Sequence, residues 1–385
     1  MTTEIFKSAG GVISGVGSVE TVGREARRLG GRKVLVITDR GIKSAGLLET
    51  VTAVLRASDL RVRVFDGIEP NPETGVVQAC LEAADKAKPE VVIGLGGGSA
   101  MDVAKVTAVL LANPGPLTDY FGIDRIPAPG VPVVLIPTTA GTGSEVTNIC
   151  VLTDPKRRVK VGIVSDHLLA RCAILDPTLT MGMPPLLTAT TGMDAMSHAL
   201  ESYTGSRGSV FTDTLCLKAI ELIAANLRQA FANGENLAAR QNLLNASCMA
   251  GMAFTNTQNA LAHALAMTIG GRYHLPHGLL CAFIMPWVME YNLLADPDKF
   301  VNIARALGEN TDGLPRMEAA RLAVKGIRGL LGDLGISCRL SDYDVPRHEI
   351  PTLAHEAVGT QQRLVSNNPR KVNVDDVVTI LEANF

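Results

Sequence analysis

The sequence predicts an α/β protein, with a parallel-sheet domain at the N-terminus and an all-helical domain after it. In the first half of the chain, short β-branched runs alternate with longer amphipathic stretches, which is typical of a parallel sheet covered by helices on both faces. From Met183 onward the strand signals stop and long helical segments follow. At 385 residues the chain also exceeds the usual size of one hydrophobic core. We therefore expect two domains, 1–183 and 184–385.

The strands and helices follow from apolar patterning. Four short apolar runs predict the strands of the sheet: Val34–Ile37, Val62–Phe65, Val91–Leu95 and Val133–Ile136. Because parallel strands end at the same edge, we expect a ligand at their carboxyl ends. In the second domain, Asp213–Asn226 and Glu235–Phe254 predict helices.

Composition limits the class of protein and of partner. The chain is 46% hydrophobic and 19% charged, which allows a sizeable core, and its net charge of −2 offers no field for a nucleic acid. The N-terminus lacks the features of a signal peptide, and the longest apolar run, Leu279–Met289, is too short to span a membrane. We expect a cytoplasmic protein that binds neither nucleic acid nor membrane. Seven cysteines without a CxxC pair favour buried reduced thiols over disulfides or a thiolate metal site.

A glycine turn follows the third predicted strand. Gly96–Ser99 leads from this strand into a helix start at Ala100–Lys105. Glycines let the backbone approach a phosphate, and Ser99 can cap a helix whose N-terminus attracts negative charge. The turn therefore favours a pyrophosphate site, and a plain tight turn is the alternative.

A second polar turn, Pro137–Glu145, follows the fourth predicted strand. Two such turns at one sheet edge favour a Rossmann-like, dinucleotide-binding domain, although the GxGxxG fingerprint is absent from both. Asp39 ends the first strand, where it can accept a hydrogen bond from a ribose 2′-hydroxyl and repel a 2′-phosphate. This favours NAD over NADP, and a turn-forming aspartate before Gly41 is the alternative.

A carboxylate and several histidines cluster in the second domain. Asp194 and His198 are four residues apart, so they share one face of a helix. His263 lies in a helix-like segment, and His277 lies where proline and glycine predict a loop. One oxygen and three nitrogens suit a divalent metal such as Fe²⁺ or Zn²⁺, with open positions for a substrate oxygen. A hydrogen-bonded core role is the alternative for each histidine taken alone.

Together these motifs resemble the iron-containing (group III) alcohol dehydrogenases, which share a fold with dehydroquinate synthase. The matching segments span nearly the whole chain: 96–105, 137–145, 192–198, 276–278 and 367–370. The resemblance implies a dehydroquinate synthase-like fold and an NAD(H)-linked alcohol dehydrogenase or aldehyde reductase, in a homodimer or larger homo-oligomer. It also implies that Asp194, His198, His263 and His277 are the metal ligands, with Fe²⁺ expected before Zn²⁺.

The resemblance also implies roles for the remaining site residues. The implied cofactor contacts are Asp39, Asn71, Gly97, Gly98, Ser99, Thr138, Thr139, Thr142 and Lys160. Phe254, with Lys160, is expected near the nicotinamide and the substrate. Met267 stands where many relatives carry a second histidine, so the proton is expected to move through His274 or ordered water, unless Met267 only shapes an apolar pocket. Glu201 is either a hydrogen-bond partner of a ligand or an exposed helix carboxylate.

The expected reaction is hydride transfer between a small alcohol or aldehyde and the nicotinamide, with the metal acting as a Lewis acid. Two alternatives remain open from the residues. One is an NAD-dependent lyase or cyclase of the dehydroquinate synthase type, and the other is a catalytically silent cofactor-binding protein. The motif strings and the complete ligand set favour the dehydrogenase, and the sequence does not identify the alcohol.

Overall fold

The computed structural model describes residues 5–155 and 159–385. Residues 156–158 lie outside the described residues, and so do residues 1–4, on which the expectation of no signal peptide partly falls. The chain divides into two compact units. One is Lys7–Met183, and the other is Pro184–Phe385 together with Ile5 and Phe6 at the start of the described chain.

The first unit contains a six-stranded sheet in which every described pairing is parallel, as predicted. Its order is β1-β9-β6-β4-β2-β3, and a smaller sheet has the order β5-β8-β7 with β7 and β8 antiparallel. The strands are β1 (Val12–Ser14), β2 (Lys33–Asp39), β3 (Arg61–Ile68), β4 (Val91–Gly96), β5 (Gly122–Ile123), β6 (Val133–Pro137), β7 (Ile149–Asp154), β8 (Val159–Val164) and β9 (Cys172–Leu175). All four predicted strands are confirmed, as β2, β3, β4 and β6.

Helices cover both faces of the main sheet. They are α1 (Val22–Arg28), α2 (Arg40–Ser44), α3 (Leu47–Ala57), α4 (Thr74–Ala87) and α5 (Gly98–Leu110). Successive side chains of β2 enter opposite cores: Leu35 and Ile37 pack with α4 and α5, whereas Val34 and Val36 pack with α1 and α3. Burial on both faces explains why β2 and β4 are nearly continuous apolar runs.

The strand order reverses direction between β2 and β4. From β2 the chain goes outward to β3 on one side, and from β4 it continues to β6 on the other side. Open α/β sheets bind ligands outside the carboxyl ends of the strands at such a reversal. Asp39 and Gly96 are the last residues of β2 and β4, so this sheet edge is the expected place for a cofactor.

The second unit is helical, as predicted, and no strand is assigned among its described residues. Its helices are α6 (Pro185–Thr204), α7 (Val210–Ala232), α8 (Leu237–Thr257), α9 (Leu261–Tyr273), α10 (His277–Asn292), α11 (Pro297–Ala306), α12 (Arg316–Asp333), α13 (Ile350–Thr360), α14 (Gln362–Val365) and α15 (Val374–Ala383). The helices predicted within Asp213–Asn226 and Glu235–Phe254 are α7 and most of α8. Helices α6 and α10 are buried along nearly their whole lengths, as central helices are. Within the described residues no helix combines the length and apolarity needed to cross a bilayer.

Candidate metal and cofactor sites

The glycine turn after β4 leads directly into α5. The helix begins at Gly98 and its N-cap is Gly97, so the expectation that Ser99 caps it is wrong: Ser99 already lies in the first helical turn. Gly97 has no side chain to satisfy the first N–H groups of the helix. These donors are therefore left for a ligand, which is what a phosphate at a helix N-terminus requires.

The second polar turn packs against this helix start. A Cβ added to Gly98 would lie 2.9 Å from Thr142 Cγ2, and one added to Gly97 would lie 3.6 Å from Thr139 Oγ1. Thr138 N also donates to the carbonyl of Gly96, at 3.0 Å. The structure therefore brings these two predicted turns together, and a side chain at position 98 would force Thr142 to shift.

A buried ion pair links α5 to the second turn. Lys105 is fully buried, and its Nζ lies 3.0 Å from Asp102 Oδ1 and donates to Ser144 O at 3.1 Å. Asp102 in turn accepts from Ser144 Oγ at 2.6 Å and from Val151 N at 2.8 Å. Lys105 also donates to Thr147 Oγ1, at 3.2 Å. Sequence reasoning placed both residues in a motif without a role; the structure shows that they fix the two turns relative to each other.

Asp39 lies at the same sheet edge. As the N-cap of α2 it accepts a hydrogen bond from Ile42 N through Oδ1, at 2.9 Å. Its Oδ2 is 3.3 Å from the position that a Cβ at Gly96 would take. The local role given as the alternative is thus present, in the form of a helix N-cap, and the second oxygen lies beside the glycine turn.

Asn71 and Lys160 form a separate pair. Lys160 Nζ donates to Asn71 Oδ1 at 3.0 Å, and Thr153 Oγ1 donates to Asn71 O at 3.2 Å. Asn71 has a φ of 53°, a left-handed conformation that asparagine tolerates better than most residues. Two residues that are distant in sequence are therefore adjacent, beside β7 and β8.

Three helices of the second unit carry the candidate ligands. Asp194 and His198 lie on α6, and His263 lies in the first turn of α9, as predicted. His277 is the first residue of α10, so its assignment to a loop is wrong. The next residue, Gly278, permits the close approach of α10 to α6, because a Cβ there would lie 2.5 Å from Thr190 O.

The ligand atoms of Asp194, His263, His277 and Cys281 all lie within 4.8 Å of one another. Nε2 of His263 is 3.9 Å from Asp194 Oδ1, and Nε2 of His277 is 3.8 Å from the same oxygen. Sequence reasoning missed Cys281. Its signal was the four-residue spacing from His277, which matters only once both residues are placed on one helix.

His198 contacts this group through its ring. Its centroid is 4.7 Å from that of His263 and 4.4 Å from that of Phe254, in stacked arrangements. Burial acts to raise the pKa of Asp194, but the nearby His198, His277 and His263 together hold it below its usual value. His198 lies beside the group of converging ligand atoms but is not part of it, so its role as a metal ligand stays a prediction.

Two polar atoms in this group fit a bound cation. Asp194 and His263 are each only 3% exposed, yet Asp194 Oδ1 and His263 Nε2 have no hydrogen-bond partner among the described residues. An unpaired buried acceptor costs about 1–3 kcal/mol, so such atoms normally have a partner. A carboxylate oxygen and an imidazole nitrogen converging on one point are a donor set for a divalent ion.

Glu201 orients His263. It is 2% exposed, and its Oε2 lies 2.6 Å from His263 Nδ1. The same carboxylate accepts from Ala260 N and Ala262 N, at 2.8 and 2.6 Å, and so caps the N-terminus of α9. Burial opposes the charged form of His263, but Glu201 raises the pKa of its imidazole overall. The alternative of an exposed carboxylate is therefore wrong: Glu201 is buried and bonded to a candidate ligand, and with Nδ1 engaged, Nε2 faces the candidate site.

The segment before α9 is held by Asn367, from the motif near the end of the sequence. Gln258 has φ 69° and ψ 163°, a backbone region that is costly for any residue except glycine. Asn367 Nδ2 donates to the carbonyls of Thr257, Gln258 and Asn259 at 3.0, 3.1 and 3.2 Å. The two N–H groups of this amide, shared among the three carbonyls, stabilise the strained turn before His263.

Met267 and His274, which the sequence analysis considered for proton transfer, lie in α9 and just after its end. Met267 is half-buried on the helix, and His274 is exposed just after its end, with a φ of 55°. His274 is separated from the candidate ligand His277 by Leu275 and Pro276 only. Neither residue belongs to the group of converging ligand atoms.

Known proteins that are similar to this chain match it over nearly its whole length and belong to one family. Residues 9–177 match the family model for iron-containing alcohol dehydrogenase, and residues 188–385 match that for the Fe-containing alcohol dehydrogenase family, C-terminal. A sulfoacetaldehyde reductase of Bilophila wadsworthia (strain 3_1_6) is 41% identical over 376 residues, 97% of each chain. A crystal structure of 1,3-propanediol oxidoreductase superposes with a TM-score of 0.97 at 38% identity and covers 100% of both chains. A sulfoacetaldehyde reductase from Bifidobacterium kashiwanohense, in complex with NAD⁺, gives 0.90 at 29% identity over 100% of this chain and 99% of that one.

Proposed function

Because the chain belongs to the iron-containing alcohol dehydrogenase family and is an oxidoreductase acting on CH–OH donors, we propose that it interconverts a small alcohol and its aldehyde or ketone with Fe²⁺ and NAD(H). The observation that carries the metal assignment is the buried group around Asp194, with two polar atoms that lack a hydrogen-bond partner among the described residues. We propose Asp194, His198, His263 and His277 as its ligands.

The protein groups have separate tasks in this reaction. When bound, the metal supplies a Lewis acid for the substrate oxygen, and the nicotinamide accepts or donates hydride. Glu201 holds His263 in the tautomer that presents Nε2, and Phe254 stacks on His198, which restricts the ring orientation. The N-terminus of α5 and the threonines of the second turn would bind the pyrophosphate through N–H and hydroxyl donors.

We propose NAD rather than NADP as the cofactor. Asp39 stands at the carboxyl end of β2, beside the glycine turn, where its free oxygen can accept from a ribose 2′-hydroxyl. A 2′-phosphate there would meet a like charge. The relative crystallised with NAD⁺ supports the same choice.

For the proton, we propose a route through His274, since a thioether at Met267 cannot relay one. Asparagine is the better replacement for His274, because it also tolerates the left-handed backbone. His274→Asn should lower kcat at least about tenfold, and Met267→His should partly restore the rate. A metal-replete His274→Asn enzyme with an undiminished kcat would leave ordered water as the route.

The direct test of the function combines metal analysis with kinetics. The purified protein should contain one divalent ion per chain and should oxidise NADH with at least one member of a panel of short aldehydes and ketones. Loss of the ion on chelation should abolish turnover, and readdition of Fe²⁺ or Zn²⁺ should restore it. A protein that holds no divalent ion, or that oxidises NADH with no carbonyl compound of the panel, would contradict the proposal.

We further propose a cytoplasmic homodimer or larger homo-oligomer. All seven cysteines lie in the described residues and none of them forms a disulfide there, which suits a reducing compartment. Strands β1 and β3 are the edges of the main sheet, and open edges are commonly covered in oligomers. Light scattering at micromolar concentration should give at least twice the mass of the 40.7 kDa chain.

A further inference from the structure

Cys281 lies inside the candidate metal group, although no sequence motif drew attention to it. It is buried on α10 one turn after His277, and its Sγ is 3.6 Å from His277 Nε2. Its sulfur also lies within 4.8 Å of the ligand atoms of Asp194 and His263. The thiol is therefore among the atoms that would surround a bound ion.

The sulfur–nitrogen distance fits a shared ion. Zinc binds thiolate at about 2.3 Å and imidazole at about 2.0–2.1 Å, so an angle of about 110° between the two bonds separates the ligand atoms by about 3.6 Å. The observed separation of Cys281 Sγ and His277 Nε2 is 3.6 Å. The separations from Asp194 Oδ1 to the two imidazole nitrogens, 3.9 and 3.8 Å, are a few tenths of an ångström longer than the roughly 3.4 Å expected for oxygen and nitrogen ligands.

Evidence for an ion at this point does not depend on the cysteine. Asp194 Oδ1 and His263 Nε2 are buried without a hydrogen-bond partner among the described residues, and both atoms belong to the same group. An ion that satisfies these two atoms lies within reach of the thiol.

The alternative role of Cys281 is that of a hydrogen-bond donor, to Nε2 of His277 or to the carboxylate of Asp194. Nε2 has one lone pair, so it cannot both accept from the thiol and bind an ion. When an ion binds His277 through this nitrogen, the thiol either keeps its proton and donates to Asp194 or exchanges its proton for the metal.

We propose that Cys281 supplies a sulfur ligand to the divalent ion, in addition to the ligands proposed above, and that this sulfur raises the affinity of the site for Zn²⁺ over Fe²⁺ relative to the same site without it. The inference rests on the proposed function, because it requires the same ion. Coordination forms a sulfur–metal bond and releases the thiol proton to solvent, with no change in oxidation state. Thiolate ligands favour zinc over the harder divalent ions, so sulfur alters the selectivity of a site that is otherwise oxygen and nitrogen.

Cobalt provides a spectroscopic test that does not depend on activity. The full-length protein, stripped of metal and reloaded with Co²⁺, should show a sulfur-to-cobalt charge-transfer band in the near ultraviolet together with visible cobalt bands. Cys281→Ser and Cys281→Ala should both lose the charge-transfer band. Cys338→Ser, which changes a partly buried thiol elsewhere in the helical unit, should keep it.

Competition between metals tests the selectivity. After equilibration with equal Fe²⁺ and Zn²⁺, the zinc-to-iron ratio should fall by about tenfold or more in Cys281→Ser relative to wild type and Cys338→Ser. An equal ratio in all three proteins would overturn the proposed bias. Cobalt bound by the wild type without a charge-transfer band would overturn sulfur ligation alone, whereas failure to bind any divalent ion would overturn the proposed function as well.

Discussion

At the scale of single residues, the candidate metal group of the helical unit depends on the orientation of one imidazole, that of His263. His263 is buried, oriented by Glu201 through Nδ1 and left with Nε2 facing Asp194. The orientation comes from outside its own helix, because the carboxylate lies on α6. A change at His263 should therefore act on metal binding more than on folding.

We expect His263→Ala to lose bound metal and turnover together while the helical content stays near that of wild type. The imidazole supplies one of the atoms that converge on the proposed ion, and alanine leaves that position without a donor. Metal content by mass spectrometry, kcat and circular dichroism measure the three effects. His355→Ala, on the exposed surface of α13, is the matched control and should keep both metal and activity. Full metal content in His263→Ala would remove this residue from the ligand set.

Asp39 should govern the choice of cofactor. Asp39→Gly removes the charge that would repel a 2′-phosphate, so the ratio of kcat/KM for NADP to that for NAD should rise. The lost α2 cap should cost only a few tenths of a kcal/mol, because glycine is itself a tolerated N-cap. Asp59→Gly is a suitable control, since Asp59 has a φ of 55° and precedes β3 at the opposite end of the strands. An unchanged ratio would show that the Asp39 carboxylate is remote from the ribose.

At the scale of elements, the buried Asp102–Lys105 pair determines how α5 meets the second turn. Both residues lie one helical turn apart, and each reaches hydrogen-bond partners beyond the helix. A buried charge with several partners holds its geometry tightly, but it is costly when one partner is removed. The two turns that are proposed to bind phosphate should thus move as one body.

Lys105→Met should lower the free energy of unfolding by about 3–5 kcal/mol, because it leaves Asp102 charged and without its cation. The KM for NAD should also rise, since the second turn loses the bond from Lys105 to Ser144 O. Adding Asp102→Asn should recover part of the stability, since no charge is then left unpaired. Urea unfolding of the three proteins measures this. If the free energy of unfolding of Lys105→Met were within about 1 kcal/mol of that of wild type, the ion pair would add little stability beyond its desolvation cost.

At the scale of the whole molecule, Glu145 should make stability depend on pH. It is 2% exposed, and burial raises its pKa to about 7 from 4.5, despite opposing effects of a backbone hydrogen bond and Lys105. The folded chain therefore binds more protons than the unfolded chain between those values. Its stability should fall as pH rises from 4.5 to about 7 and then level off, by a total on the order of 3 kcal/mol from this group.

Glu145→Gln should remove this contribution, since glutamine does not ionise. The free energy of unfolding of the variant minus that of wild type should be larger at pH 8 than at pH 5. The increase should be on the order of 3 kcal/mol. Urea unfolding at the two pH values measures the difference. Glu82→Gln changes an exposed glutamate on α4 and should follow the wild type at both values. If the two proteins differed in free energy of unfolding by the same amount at pH 5 and pH 8, Glu145 would not titrate between these pH values in the folded chain.

Much of this organisation could be predicted from sequence because it depends on local patterns. Continuous apolar runs revealed β2 and β4, since both of their faces are buried. The four-residue spacing placed Asp194 and His198 on one helix. Contacts between residues that are far apart in the sequence leave no local pattern: Glu201 and His263, for example, are 62 positions apart. Cys281 was missed because Pro276 and Gly278 suggested a loop where α10 in fact begins.

The contacts of Asn367 have a consequence for synthesis. Its amide holds the carbonyls of the strained turn before α9, and 110 residues separate it from Thr257. Domains generally fold as they leave the ribosome, N-terminal first, so the unit Lys7–Met183 can fold early. The turn before His263, by contrast, gains its hydrogen bonds to Asn367 only after a long further stretch has been translated. Metal loading should therefore follow translation: ribosome-bound chains stalled shortly after residue 281 should contain a folded first unit but should not retain an ion.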